Sequence, residues 1–143
     1  MQESFSNSAG RHLQDAQILL NAQRWDNAVY LAGYVVECSF KVLVEQYFKH
    51  DQGAVKKYGH DLTELEGRAM ERLRVLYPIL DNQLPALRIV GTVLGQYHPD
   101  RRYSKTGLWA EAEARNAVQR AEEIYREILP KLVLNGSISS QDI

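Results

Sequence analysis

Residues 28–44 read AVYLAGYVVECSFKVLV, and the distribution of apolar residues in this stretch decides the fold. At about 100° per residue, Ala28, Leu31, Ala32, Val35, Cys38 and Val42 mark one side of a helix. Val29, Val36, Phe40, Leu43 and Tyr47 mark another. A helix over Asp26–Lys49 with so wide an apolar surface belongs at the centre of a bundle, contacted by several neighbours. Glu37 and Lys41 interrupt the run, which therefore reads as too short to span a bilayer.

Helical periodicity continues on both sides, and no Val/Ile/Thr-rich alternation marks a strand. Upstream, a helix is expected over Ser8–Gln23, with Ser8 as N-cap and Leu13, Ala16 and Leu20 on one face. Arg24-Trp25-Asp26 makes a tight connection, and Asp26 or Asn27 can cap the next helix. Downstream, Asp51–Gly59 reads as a loop. Asp61, followed by Glu64, resembles a capping box that starts a third helix at Leu62. Leu62, Leu65, Ala69, Leu73 and Leu76 carry its stripe until Pro78. A weaker segment opens at Pro85, with Leu87, Val90, Leu94 and Tyr97 on one face and Gly91 and Gly95 lowering its propensity. The last helix runs over Leu108–Leu134, where Ala110, Ala114, Ala117, Ala121, Ile124 and Ile128 recur at four- and three-residue spacing. Its alanines let a neighbouring backbone approach closely.

These segments predict an all-α, up-and-down four-helix bundle with an additional short helix. Residues 8–134 form the single domain, and 1–7 and 135–143 are expected as flexible termini. A chain of 143 residues hides roughly two-thirds of its unfolded surface without a staple. The single cysteine, Cys38, fits a reducing compartment and a small buried hydrophobe. Met1–Gly10 lacks the order of a signal peptide, so a soluble cytoplasmic protein is expected, with no membrane partner. The net charge of −1 gives no global pull toward nucleic acid, so any anion binding must be local.

Three places hold residues suited to chemistry. Tyr30, Tyr34, Glu37, Lys41 and Glu45 fall along one stripe of the central helix. Glu37 and Lys41 either form a bland ion pair worth about 0.3–0.5 kcal/mol or wall a ligand groove with stacking rings beside it. His60 and Asp61 are either an exposed loop residue with a helix cap or a titratable group at the mouth of the bundle. In His98–Lys105, Arg101 and Arg102 beside Tyr103 suit phosphate or nucleobase contact, and they suit a solvated turn equally. Lys49, Lys56 and Lys57 join this patch if the two loops share an end of the bundle.

Other chemistries lack their residues. No Glu-x-x-His pair supplies a di-iron site, and one cysteine with four scattered histidines makes no structural zinc site. No glycine-rich phosphate loop is present, so neither a metal nor another cofactor is expected. His12 on the first helix has no visible partner for phosphotransfer.

The run Ala28–Leu43, with a Glu and a Lys one turn apart, resembles the second helix of HEPN (higher eukaryotes and prokaryotes nucleotide-binding) domains. Gly59-His60-Asp61-Leu62 resembles that family's start of the third helix, and Arg102-Tyr103-Ser104 its segment before the last helix. The resemblance spans about Ser8–Leu134. It implies a homodimer active in nucleotide or RNA transactions, often beside a nucleotidyltransferase partner. Many members are metal-independent ribonucleases, some of toxin-antitoxin type, that use an Arg, four to six residues, then His. No Arg stands at that distance before His12, His50, His60 or His98, and Lys56 and Lys57 lack the planar fork of guanidinium.

The leading expectation is thus a non-catalytic module binding a nucleotide, RNA or a nucleotidyltransferase, with Tyr30, Tyr34, Glu37, Lys41, His60, Asp61, Arg101, Arg102 and Tyr103 as ligand-binding residues. The alternatives are a ribonuclease with an atypical site using His60 or His98 with Arg101 or Arg102, and a purely structural interaction bundle.

Overall fold

The computed structural model describes residues 1–47, 54–76, 88–134, 136 and 138–143. Among them are four α-helices and no strand: α1 (Phe5–Asn21), α2 (Trp25–Tyr47), α3 (Leu62–Leu76) and α4 (Glu111–Leu134). Helix α2 packs against all three others, and α1 also meets α4. Ala28, Val29, Ala32, Val35, Val36, Phe40 and Leu43 are fully sealed. The central helix expected from residues 28–44 is therefore the core of the all-α bundle. Trp25–Glu45 is in fact long and apolar enough to span a membrane by length and composition, contrary to the expectation, but 72% of its most apolar window is buried inside the bundle. Its apolar surface is covered by α1, α3 and α4.

The stripes on the flanking helices behave as their spacing requires. Ala114, Ala117, Ala121, Ile124 and Ile128 are all sealed. Ala110 stands outside, because the helix begins at Glu111, three residues later than expected. There Glu113 accepts from the Ala110 N–H at 3.0 Å, satisfying one of the donors a helix start leaves over. Helix α1 begins earlier than expected, since Ser4, not Ser8, is its cap and accepts from Asn7 N at 3.3 Å. Asp61 caps α3 as predicted, accepting from Glu64 N at 3.0 Å. Its own N–H goes to Tyr58 O, so the reciprocal half of a capping box is not used.

Two expectations on local structure are corrected. The segment expected as a helix from Pro85 to Tyr97 holds, from residue 88 on, only a 3-10 turn at Val93–Gly95. Gly91 adopts φ +81°, and a Cβ at Gly95 would lie 2.8 Å from Ile89 O. The glycines that lowered its propensity thus mark a turn in which the backbone folds tightly on itself. Pro78 and Pro85 lie outside the described residues. Secondly, Asp26 does not cap its own helix. Its carboxylate accepts from Gly107 N at 2.7 Å and Trp109 N at 2.9 Å, tying the start of α2 to the chain that leads into α4.

Of the C-terminal residues expected as a flexible end, 136 and 138–143 are described. Gly136 takes φ +78° after α4, Ile138 N–H returns to Leu132 O, and Ile138 packs on the core.

The Asp26 tie gives a test. Asp26→Ala strands two backbone donors and is expected to lower stability by about 1–3 kcal/mol, whereas exposed Asp15→Ala should stay within about 0.5 kcal/mol. Urea denaturation of the two variants measures this.

Candidate functional site

On α2 the residue stripe predicted from helical rotation forms one polar seam. At its centre the Glu37 carboxylate, 2% exposed, meets three donors from different parts of the chain. Lys41 Nζ lies 3.1 Å from Oε1, one helical turn along α2. His60 Nδ1, from the loop before α3, lies 2.7 Å from the same oxygen. His98 Nε2, from the loop before α4, lies 3.3 Å from Oε2. Burial alone would raise the Glu37 carboxyl. The hydrogen bond from His98, the Lys41 charge and the His60 bond outweigh it and hold the group below its ordinary 4.5. The carboxylate is ionised and accepts only.

The neighbouring arginine fixes where the protons sit. Arg101 is buried, and its Nη1 donates to Val93 O at 3.2 Å and Gln96 O at 2.8 Å. Its Nη2 lies 3.2 Å from His98 Nδ1. Guanidinium has donors only, so His98 Nδ1 accepts, and the proton of the neutral ring sits on Nε2, where it donates to Glu37. Burial and the Arg101 charge hold His98 below its ordinary value, against the pull of Glu37. Burial also brings Arg101 down to about 10, leaving it charged at neutral pH.

The close approach depends on a missing side chain. Gly33 is buried on α2, and a Cβ there would collide with Arg101 Nη2 and lie 2.7 Å from His98 Nδ1. A glycine inside a helix costs up to about 1 kcal/mol relative to alanine. Here it opens the backbone face on which the arginine and imidazole rest.

Aromatic rings line the outer part of the seam. Tyr34 packs edge-on against Tyr30 at 5.2 Å, His98 at 4.9 Å and His60 at 5.7 Å, and lies 5.9 Å from His12. Burial and a hydrogen bond with Tyr30 push the Tyr34 hydroxyl up to about 12, so it keeps its proton. A cleft of about 480 Å³ opens between this seam and residues 1–12, with Arg11, His12, Tyr34, Lys41 and His60 among its lining. That size suits a small ligand. Lys41 sits 5.3 Å from the Phe5 ring centroid. Cys38 reaches the same cleft, but burial pushes its thiol up to about 12, which removes it as a nucleophile.

Tyr34, Glu37, Lys41 and His60 meet at the cleft, with Tyr30 against Tyr34; the sequence placed the α2 residues on one stripe but did not place His60 beside them. Glu37 lines the cleft but is an almost fully buried hub, its oxygens held by Lys41, His60 and His98. Asp61 is exposed and spent on its cap, away from the hub. Arg101 is corrected from a free cation to a buried brace of the 93–98 turn, while its neighbour Arg102 is the exposed one. The Arg102 guanidinium covers the Tyr103 ring at 4.7 Å. It does not line the cleft, but its charge acts on the hydroxyls of Tyr34 and Tyr30. Lys49 lies outside the described residues. The sequence reading missed Gly33 and the cleft position of Arg11, and it offered His98 as a loop residue and an alternative catalytic group but not as a partner of Glu37. The one available signal was a glycine within an otherwise apolar helix.

A metal is a chemical alternative, since Glu37, His60 and His98 each offer a ligand atom within 4.8 Å of the others. The donor set does not fit one. A metal on His98 Nε2 would need the proton moved to Nδ1, where Arg101 offers only donors, and Lys41 already neutralises the carboxylate.

The family model of the HEPN domain matches residues 2–132 of the chain. The protein belongs to the HEPN family. At family level this makes it a helical module of nucleotide- or RNA-related function. No curated protein and no solved structure is significantly similar to the chain, so the particular ligand of this HEPN domain is argued from its geometry.

Two tests follow from the hub. Gly33→Ala is expected to destabilise by about 1–3 kcal/mol through overpacking. Gly67→Ala in α3, where an added Cβ meets nothing within 4 Å, should instead stabilise by about 0.5–1 kcal/mol. Thermal or urea unfolding separates the signs. His98 is held below 6.5 and Glu37 below 4.5, so both bind protons more readily in the unfolded chain. Their contribution is complete above those values and drains as pH falls below them, His98 first. His12, also lowered mainly by burial, acts in the same direction. Urea midpoints should therefore fall as pH drops below 6.5, less steeply in His98→Gln than in the parent.

Proposed function

We propose that this HEPN domain binds a nucleotide, free or as a unit of single-stranded RNA, in the cleft between residues 1–12 and the α2 seam, without cleaving it. The observation that carries this reading is the outward end of the Glu37 network. A half-exposed imidazole, His60, stands beside the Tyr34 ring in a cleft that also holds Arg11. Aromatic faces accept any base by stacking, and guanidinium groups take phosphate by forked hydrogen bonds. Arg11 in the cleft and Arg102 outside it are exposed, so local cations are available despite the overall charge of −1.

The absence of the Arg-then-His spacing and the burial of His98 support binding without cleavage. Metal-independent cleavage of RNA takes a proton from the attacking hydroxyl and gives one to the leaving oxygen, so two accessible groups must flank the phosphate. His98 is 2% exposed with both ring nitrogens occupied, and the Tyr34 hydroxyl near 12 is a weak acid. His60 and His12 both line the cleft, so incubation with RNA, and not the placement of the imidazoles, decides between binding and cleavage. Self-association, with a nucleotidyltransferase as the partner of the pair, belongs to the same proposal, and sedimentation would read twice the chain mass of 16.4 kDa.

Titration with a short single-stranded RNA across a range of salt tests the reading. Tyr34→Ala should weaken binding by about 1–3 kcal/mol through lost stacking. Arg102→Ala should lower the salt slope by about one. RNA incubated with the protein and a chelator should stay intact. Absence of binding, or binding indifferent to Tyr34, Arg11 and Arg102, defeats the proposal.

A further inference from the structure

The order of protons in the network has a consequence at its solvent end. Arg101 can only donate, so His98 accepts from it and donates to Glu37. Glu37 can only accept, so neutral His60 presents Nδ1–H to it at 2.7 Å. A neutral imidazole has one proton, and with Nδ1 carrying it, Nε2 is left with a lone pair. No group among the described residues bonds that nitrogen, and the ring is 49% exposed. In the neutral ring, the half-exposed nitrogen of His60 is therefore a hydrogen-bond acceptor.

An acceptor facing a ligand selects for a donor and turns away a phosphate oxygen. In a nucleotide the donors beside the phosphodiester are the sugar hydroxyls, and the 2′-hydroxyl distinguishes RNA from DNA. We infer that His60 Nε2 is a sugar-hydroxyl subsite, taking the ribose 2′-OH of a bound nucleotide while the phosphate is left to the arginines. Resting on the nucleotide-binding reading above, this assigns polarity within the site: sugar at the imidazole, base on the Tyr34 side, phosphate toward exposed guanidinium. Removing a donor that a buried or half-buried acceptor expects costs more than the bond is worth in water, so discrimination of about 5- to 10-fold is expected.

Two measurements on the full chain test it. The first needs no ligand: ring-nitrogen NMR of the ¹⁵N-labelled protein at pH 8, where imidazoles are neutral. His60 should show a protonated Nδ1 and a bare Nε2, and His98 the reverse. A proton on His60 Nε2 overturns the inference. The second compares single-stranded RNA and DNA of one sequence, with uracil in both, against the native chain and His60→Phe. Native protein should favour RNA about 5- to 10-fold, and His60→Phe should bind both as native binds DNA. Equal native affinity for RNA and DNA overturns the hydroxyl subsite and leaves nucleotide binding standing. Binding of neither overturns both.

Discussion

A carboxylate buried in the middle of an apolar helix governs this structure. Left unpaired, the Glu37 charge would cost several kcal/mol. Its donors come from α2 itself, from the loop before α3 and from the loop before α4. Satisfying it therefore draws two connections, far apart in sequence, to one spot on α2. The hydrophobic effect stacks the helices, but it is indifferent to where the loops at the end of the bundle come to rest. The buried charge supplies that direction.

The same constraint separates two side chains that chemistry would treat alike. Arg101 and Arg102 are adjacent and identical in type. One is sealed beneath the turn it braces, and the other lies fully in solvent over the Tyr103 ring. The path of the chain from His98 decides which is which. Arg101 is spent on two carbonyls and a ring nitrogen, so it reaches the polar seam indirectly, through the tautomer of His98.

How far residues alone could lead depends on the range of the forces involved. The alanine and isoleucine stripe of α4 and the wide apolar face of α2 were legible because helical rotation is a local rule. The Tyr30–Lys41 seam was legible for the same reason, as was the Asp61 cap. The stretch from Arg88 to Tyr97 was not, since its helical spacing competes with a backbone reversal at Gly91 and Gly95 that spacing does not encode. The meeting of His60 and His98 on one carboxylate was also hidden, because it arises from tertiary paths 23 and 61 residues from Glu37. Gly33 lay in view throughout. Its meaning required knowing what rests against it.

The connection between the 93–97 turn and α4 is moored at both ends, by Arg101 on the carbonyls of Val93 and Gln96, and by Asp26 on the amides of Gly107 and Trp109. Between the moorings Arg102, Tyr103, Ser104 and Lys105 all face water. Such a span behaves like a bridge deck: its surface can be rebuilt residue by residue while the piers hold. Substitutions there would alter the exposed rim without disturbing the packed helices, because none of these four side chains is buried.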